Sequence, residues 1–181
     1  ERLVEDMLII SRYEATDSAQ HRAELIAKRF SCRECVTAVL ERLLPLVENK
    51  QARMVLEIPP DDEVAGDAFY WEQIFFNLIE NSLKENAEAE RLVITVIMER
   101  KPNSVQISVR DNGKGIPHEH LPFIFKRFYR VATDHSQQKV KGTGLGLSIV
   151  KRAVEAHGGT IRVESSPGFR TEFIMDLPKI Q

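Results

Sequence analysis

Apolar residues recur along this chain in two rhythms, and the places where the rhythm changes divide it into elements. The first rhythm is helical: Leu3, Val4, Met7, Leu8 and Tyr13 share one spacing, with charges between them. Such a rich stripe predicts the tail of a longer helix that packs against a partner. The stretch "TDSAQHRAE" (16–24) has no period and predicts a linker. From residue 25 the order is regular. "LIAKRF" predicts a strand, and Ser31 with Glu34 three residues on forms a capping box for a helix to about residue 48. "RMVLEIP" predicts a second strand, ended by Pro59 and Pro60. Residues 66–87 then carry Ile74, Phe75, Leu78, Ile79 and Leu83 on a long amphipathic helix. "LVITVIMER" and "SVQISVRD" alternate with period two around a turn at Lys101–Asn103. After Asp111 glycine, proline and polar residues break the pattern. A helix from about 144 to 157 follows and stops at Gly158–Gly159. "TIRVESS" and "RTEFIMDLP" close the chain as two strands around Pro167–Gly168. Short turns between strands imply a mixed, mostly antiparallel sheet, and three main helices against it make a two-layer α/β sandwich. No internal repeat is present.

Composition narrows the picture. The 181 residues suit one domain with a short appendage, and 43% apolar residues can fill its core. A net charge of −2 supplies no field to draw nucleic acid or an anionic membrane. No apolar run reaches the ~18–20 residues of a membrane span, and no signal peptide opens the sequence. The expected setting is cytoplasmic, without direct membrane contact, whether or not a parent protein is anchored in the cell membrane. The chain opens in mid-helix without methionine, as expected of a piece of something longer. Cys32 and Cys35 are the only cysteines, and with no further ligand pair their C-x-x-C spacing makes no zinc site. The expectation is two inert helical thiols in a reducing compartment.

Three segments offer chemistry. Asn77, Asn81 and Lys84, at i, i+4 and i+7, share one face of the long helix. Two amide oxygens and an ammonium in line suit a hard cation and the phosphates it carries, although a solvated polar face has the same appearance. In "DNGKGIP" Asp111 ends a strand, and Gly113 and Gly115 let backbone approach a flat ligand. A buried aspartate there accepts from the exocyclic amine of adenine, whereas D-N-G alone is a common turn. In "KGTGLGLSIV" Gly142, Gly144 and Gly146 open a helix whose N–H groups suit phosphate. That segment fits neither standard phosphate-loop pattern. Between the two glycine clusters a long polar stretch (about 118–143) suggests a lid, made positive by Lys126, Arg127, Arg130, Lys139 and Lys141.

In this order the segments resemble the catalytic ATP-binding domain of sensor histidine kinases, within the gyrase, heat-shock chaperone, histidine kinase and mismatch-repair ATPase superfamily. "NLIENSLK" is similar to the family's N box, "DNGKGIP" to its first glycine box, "FKRFYR" to its F box and "GTGLGLSIV" to its second glycine box. "GDAFYWEQIFFN" resembles the lead-in to the N box, and "LVEDMLIISRYEA" the end of the dimerisation hairpin. The resemblance implies a division into hairpin end (1–15), linker (16–24) and catalytic domain (25–181). It implies ATP and Mg2+ as cofactors, with Asn81 the magnesium ligand, Asn77 its neighbour and Lys84 on phosphate. Asp111 then binds the adenine amine, Gly115 shapes the base pocket and Thr171 makes a water-mediated contact. Arg130, Lys141, Gly142, Gly144 and Gly146 belong to lid and phosphates, Gly113, Ile116, Thr143, Leu145 and Leu147 line the nucleotide, and Phe125 and Phe128 anchor the lid.

The superfamily's hydrolases carry glutamate where Asn77 stands, and asparagine takes no proton from water, so the pocket should hold ATP without fast hydrolysis. The implied activity is a protein histidine kinase whose acceptor histidine lies elsewhere: His21, His118, His120, His135 and His157 do not fit that role. Implied partners are a response-regulator receiver domain and a second copy bound through the hairpin. Glu85 and Lys126 depart from the family pattern, where an aromatic or histidine and an acidic residue are usual. The alternatives are a serine/threonine kinase of the anti-sigma type and a nucleotide-binding module without catalysis.

Overall fold

The computed structural model describes residues 7–8, 19–86, 89, 91–131 and 142–179. Within them four helices and seven strands follow in the order α1 (Ala19–Ile26), β1 (Arg29–Ser31), α2 (Cys32–Asn49), β2 (Arg53–Glu57), β3 (Glu63–Ala65), α3 (Ala68–Glu85), β4 (Val93–Arg100), β5 (Ser104–Asp111), α4 (Gly146–Ala156), β6 (Thr160–Ser166) and β7 (Arg170–Pro178). A single 3-10 turn, His118–His120, follows the first glycine cluster.

Local chemistry starts the helices where the sequence places them. The Ser31 hydroxyl accepts from the Glu34 amide at 3.1 Å. The second half of this cap comes from afar: Asp62 Oδ2 accepts from both Ser31 Oγ and the Arg33 amide, each at 2.7 Å. Asp67 caps α3 through its Oδ1, which accepts from the Phe69 amide at 3.0 Å. Both long helices then bury a stripe at helical spacing, Cys32, Cys35, Val36, Val39 and Leu43 on α2 and Trp71, Ile74, Phe75, Leu78, Ile79 and Leu83 on α3.

Five strands form one sheet in the order β2-β4-β5-β7-β6, and β1 pairs with β3 apart from it. The two hairpins, β4–β5 and β6–β7, are antiparallel, as their short turns require. β2 and β4 run parallel because α3 lies between them in the chain and carries it back across the sheet. Along β5 the side chains alternate: Val105, Ile107, Val109 and Asp111 face the helices, and Gln106, Ser108 and Arg110 the open side. β7 lies beside β5 with Asp111 opposite Thr171, so both residues end on the helix-covered face. The core sits between this face and α2, α3 and α4.

The sandwich and its mixed sheet match expectation, with two corrections near the start. Residues 19–26, part of which was expected to lack a period, are helical, and the strand expected over "LIAKRF" is replaced by Arg29–Ser31. Polar residues hide that helix in the sequence; burial of Leu25 against the domain holds it in place. β3 gave no signal because three residues cannot show a period. The remainder of the hairpin-end and linker expectations, residues 1–6 and 9–18, lies outside the described residues; Met7 and Leu8 are helical and exposed. No helix among the described residues is long and apolar enough to cross a membrane.

Cys32 and Cys35 are free and buried, and burial pushes both thiols up to about 12. Burial and the raised thiols favour the neutral form in the fold, in line with two inert thiols. A thiol raised above its unfolded value stabilises the fold below about pH 9 and loses that contribution as pH rises further. Native protein at pH 7.5 is accordingly expected to resist a maleimide reagent, and denatured protein to take up two equivalents by mass. Labelling of the native fold at the denatured rate would refute the buried-thiol reading.

Candidate nucleotide site

α3 rises about 1.5 Å per residue, so Asn77 and Asn86 stand roughly 14 Å apart along one helix. Each of the two glycine clusters meets this helix at one of those residues. A Cβ on Gly113 would collide with the Asn86 amide, and a Cβ on Gly146 would sit 3.1 Å from Asn77 Oδ1. Only glycine permits the first approach, a Cβ at the second would be tighter than ordinary contact, and together the two bring both loops onto α3.

Asp111 holds the first end. It is 4% exposed, at the tip of β5. Its Oδ2 accepts from the Ser82 hydroxyl at 2.8 Å and its Oδ1 from the Gly113 amide at 2.9 Å. Burial pushes its carboxyl above the ordinary value, while Ser82, the Gly113 amide and Asn86 pull the other way. The turn beyond it is fixed from two sides. Asn86 Oδ1 accepts from the Lys114 amide at 2.8 Å while Asn86 Nδ2 donates to Ser82 O at 2.9 Å. Gly115 has φ +72° and lies against the backbone of Ser166 and Pro167. The Ile116 amide donates to Ser165 Oγ at 2.8 Å, and Ser165 Oγ lies 3.3 Å from Thr171 Oγ1. Asp111, Gly113, Gly115, Ile116 and Thr171 thus gather at one place.

The second end is the start of α4. Its N-cap residue, Leu145, makes no side-chain cap bond, and a helix N-terminus of this kind suits an anion. Leu145 is fully buried and packs the turn into the core, with its amide 3.3 Å from Thr143 Oγ1. Leu147 is half-buried on the first turn and Gly142 is exposed. Asn77 is 4% exposed, and its Nδ2 donates to Gln73 O at 3.0 Å. Its Oδ1 is therefore the end that faces Gly146, an acceptor of the type a hard cation takes. Asn81 is half-buried one turn on. Lys84 is held by Glu80, Nζ to Oε1 2.7 Å, so it must leave this partner to reach a phosphate. No cluster of three or more His, Cys, Asp or Glu side chains suited to a metal occurs among the described residues.

The F-box segment reaches this end by backbone. The Phe128 amide donates to Gly144 O at 2.9 Å, and Arg130 donates to Gly142 O at 3.2 Å. Phe125 anchors the segment, its ring edge-on to Phe173 at 6.2 Å. Phe128 does not act as an anchor: it is 62% exposed with φ +61°, because the bond to Gly144 turns its side chain outward. Lys141 and lid residues 132–140 lie outside the described residues. Ser82, Asn86 and Ser165 were not singled out in the sequence. Ser82 and Asn86 did leave a signal, two polar residues at i and i+4 beside the buried stripe of α3.

Comparison with known proteins supplies the family. Residues 66–181 match the family described as "Histidine kinase-, DNA gyrase B-, and HSP90-like ATPase". The chain is 34% identical over 179 residues to sensor protein RprX of Bacteroides fragilis, covering 98% of this chain and 33% of RprX. It is 31% identical over 180 residues to sensor histidine kinase WalK of Bacillus subtilis, covering 98% of this chain and 28% of WalK. It thus spans about a third of the length of these curated relatives. The catalytic domain of histidine kinase ThkA superposes with a TM-score of 0.69 at 28% identity, over 84% of this chain and 97% of that one. Full-length ShkA in complex with AMPPNP gives a TM-score of 0.76 at 25% identity, over 98% of this chain and 35% of that one.

Proposed function

This chain belongs to the histidine kinase-, DNA gyrase B- and HSP90-like ATPase family, and from that premise we propose that it binds Mg-ATP and donates the γ-phosphate to a histidine on a dimerisation hairpin. The observation that carries the reading is the meeting of both glycine loops on α3, Gly113 at Asn86 and Gly146 at Asn77. Adenine would lie at Asp111, with Gly115, Ile116 and Thr171 around it. The phosphates would lie at the start of α4, with Lys84, Arg130, Lys141 and the amides of 142–147 as donors. ShkA's complex with AMPPNP, an ATP analogue, supports a nucleotide in this fold.

Asn81, with Asn77 one turn before it, would supply amide oxygens to magnesium, leaving its other positions to phosphate and water. When bound, the cation would neutralise charge on the transferred phosphoryl group. The chain's own part is positioning: Asp111 fixes the base, the α4 amides fix the phosphates, and the lid excludes water. Asn77 takes no proton from water, so hydrolysis is slow and the phosphoryl group is kept for an acceptor. A receiver-domain aspartate is the proposed destination, and a dimer through the hairpin the proposed assembly.

Mixing this chain with a separate histidine-bearing hairpin, magnesium and γ-labelled ATP is expected to yield label on histidine, stable to base and labile to acid. ATP binding without phosphohistidine would reduce the chain to a binding module. Base-labile label on serine would instead favour the anti-sigma type of kinase.

A further inference from the structure

We propose that Ser82 and Asn86 are positioning residues for base recognition, holding the Asp111 carboxylate as a fixed acceptor for the exocyclic amine of a purine. This rests on the reading of Asp111 as the base-binding group.

The argument begins with what a buried carboxylate needs. Asp111 has lost most of its water, and burial alone would favour the protonated form, which presents a donor to half of its surroundings. A protonated acid turned toward an amine would meet donor with donor. Three groups oppose that outcome, and they come from two separate elements. The Gly113 amide belongs to the loop that follows Asp111 itself. Ser82 belongs to α3 and Asn86 caps its C-terminal end four residues on, both facing the loop. Ser82 spends its hydroxyl proton on Asp111 Oδ2, and it is itself only 2% exposed, so water cannot substitute for it.

Asn86 acts on both partners of the carboxylate. Its Nδ2 ties it to Ser82 O, its Oδ1 holds the Lys114 amide, and its side chain packs where Gly113 lacks a Cβ. It therefore fixes the loop that carries the Gly113 donor relative to the helix that carries Ser82. Each Asp111 oxygen is left with remaining acceptor capacity and no freedom to rotate. A 6-amino purine suits that arrangement, and a 6-oxo purine places acceptor against acceptor.

ATP and GTP affinities of the whole 181-residue chain, measured by calorimetry from pH 5 to pH 8, test the proposal. Ser82→Ala is expected to lower ATP affinity about 10-fold at pH 7, the scale of a lost hydrogen bond to a charged group. It is also expected to move the acid limb of the affinity profile toward neutral pH. The sign follows from the chemistry: removing a donor from the anion raises the Asp111 pKa further, so protonation and loss of affinity begin at a higher pH. Ser82→Cys, similar in volume and a weaker donor, should fall between. Asn86→Ala should weaken ATP binding and narrow the preference over GTP.

A merely structural role would lower the melting temperature of Ser82→Ala and leave the acid limb in place, which would overturn the proposal. Wild-type affinity in both Ser82 variants would do the same. Asp111→Asn separates the two levels. If it loses ATP while the Ser82 and Asn86 variants behave as wild type, the positioning role fails and base recognition by Asp111 stands. If it retains ATP, the base site itself is misplaced.

Discussion

Asp111→Asn is expected to weaken ATP binding about 100-fold while the fold stays intact. The carboxylate accepts from Ser82 and from Gly113 and keeps capacity for the base. Asparagine has one carbonyl oxygen and one NH2 group, so one of these three donors would face a donor instead. Losing a charge-assisted hydrogen bond costs roughly 1.5–3 kcal/mol, and leaving a buried donor unmet adds to it, which together reach about two decades in affinity. Calorimetric titration with ATP reads the effect, and a far-UV spectrum with a thermal melt shows whether the fold persists. Affinity within threefold of the wild type would place the base elsewhere.

Trp71→Ala should produce the largest loss of stability. Trp71 is fully buried at the first turn of α3, stacked on Phe30 with centroids 5.1 Å apart and packed against Phe75 and His157 at 5.7 and 5.9 Å. Its Nε1–H has no acceptor among the described residues, so the residue contributes packing rather than a polar tie. Truncating such a side chain leaves a cavity that costs about 3–5 kcal/mol. For a domain of this size that lowers the melting temperature by roughly 10–15 °C.

The cavity would also open beside His157, whose imidazole is pushed below its usual range by burial. His157 Nε2 accepts from the Asp67 amide at 3.2 Å, and Nδ1 lies 2.7 Å from Ala153 O. Loss of Trp71 therefore loosens the start of α3 together with the end of α4. Denaturant unfolding checks the figure, and a change under 1 kcal/mol would mean that the ring is not part of the core.

Most of the fold was legible because its elements are long and their periods regular. Alternation along "SVQISVRD" and "RTEFIMDLP" fixed both strands and which side chains face the helices, since a strand buried on one face can only alternate. The Ser31 cap and the apolar stripe of α3 were equally plain. Pairing order was not legible: β7 inserts between β5 and β6, and nothing local to either hairpin states that. The same limit hid α1, whose eight residues are too few and too mixed to announce a helix and depend on the burial of Leu25.

The candidate site divides along the same line. The residue types, Asn77, Asn81, Lys84, Asp111 and the two glycine clusters, are matters of sequence, and their spacing along α3 put amides and lysine on one face. Tertiary structure decided which groups meet. It set Asp111 against Ser82, carried Asn86 over Gly113, laid Gly146 against Asn77, and turned Phe128 to solvent by bonding its amide to Gly144. Periodicity records what a residue contributes to its own element, so it marks a buried stripe and a polar face. A contact between a helix and a loop 28 residues further on, as between Asn86 and Lys114, exists only once the sheet and the helices have packed.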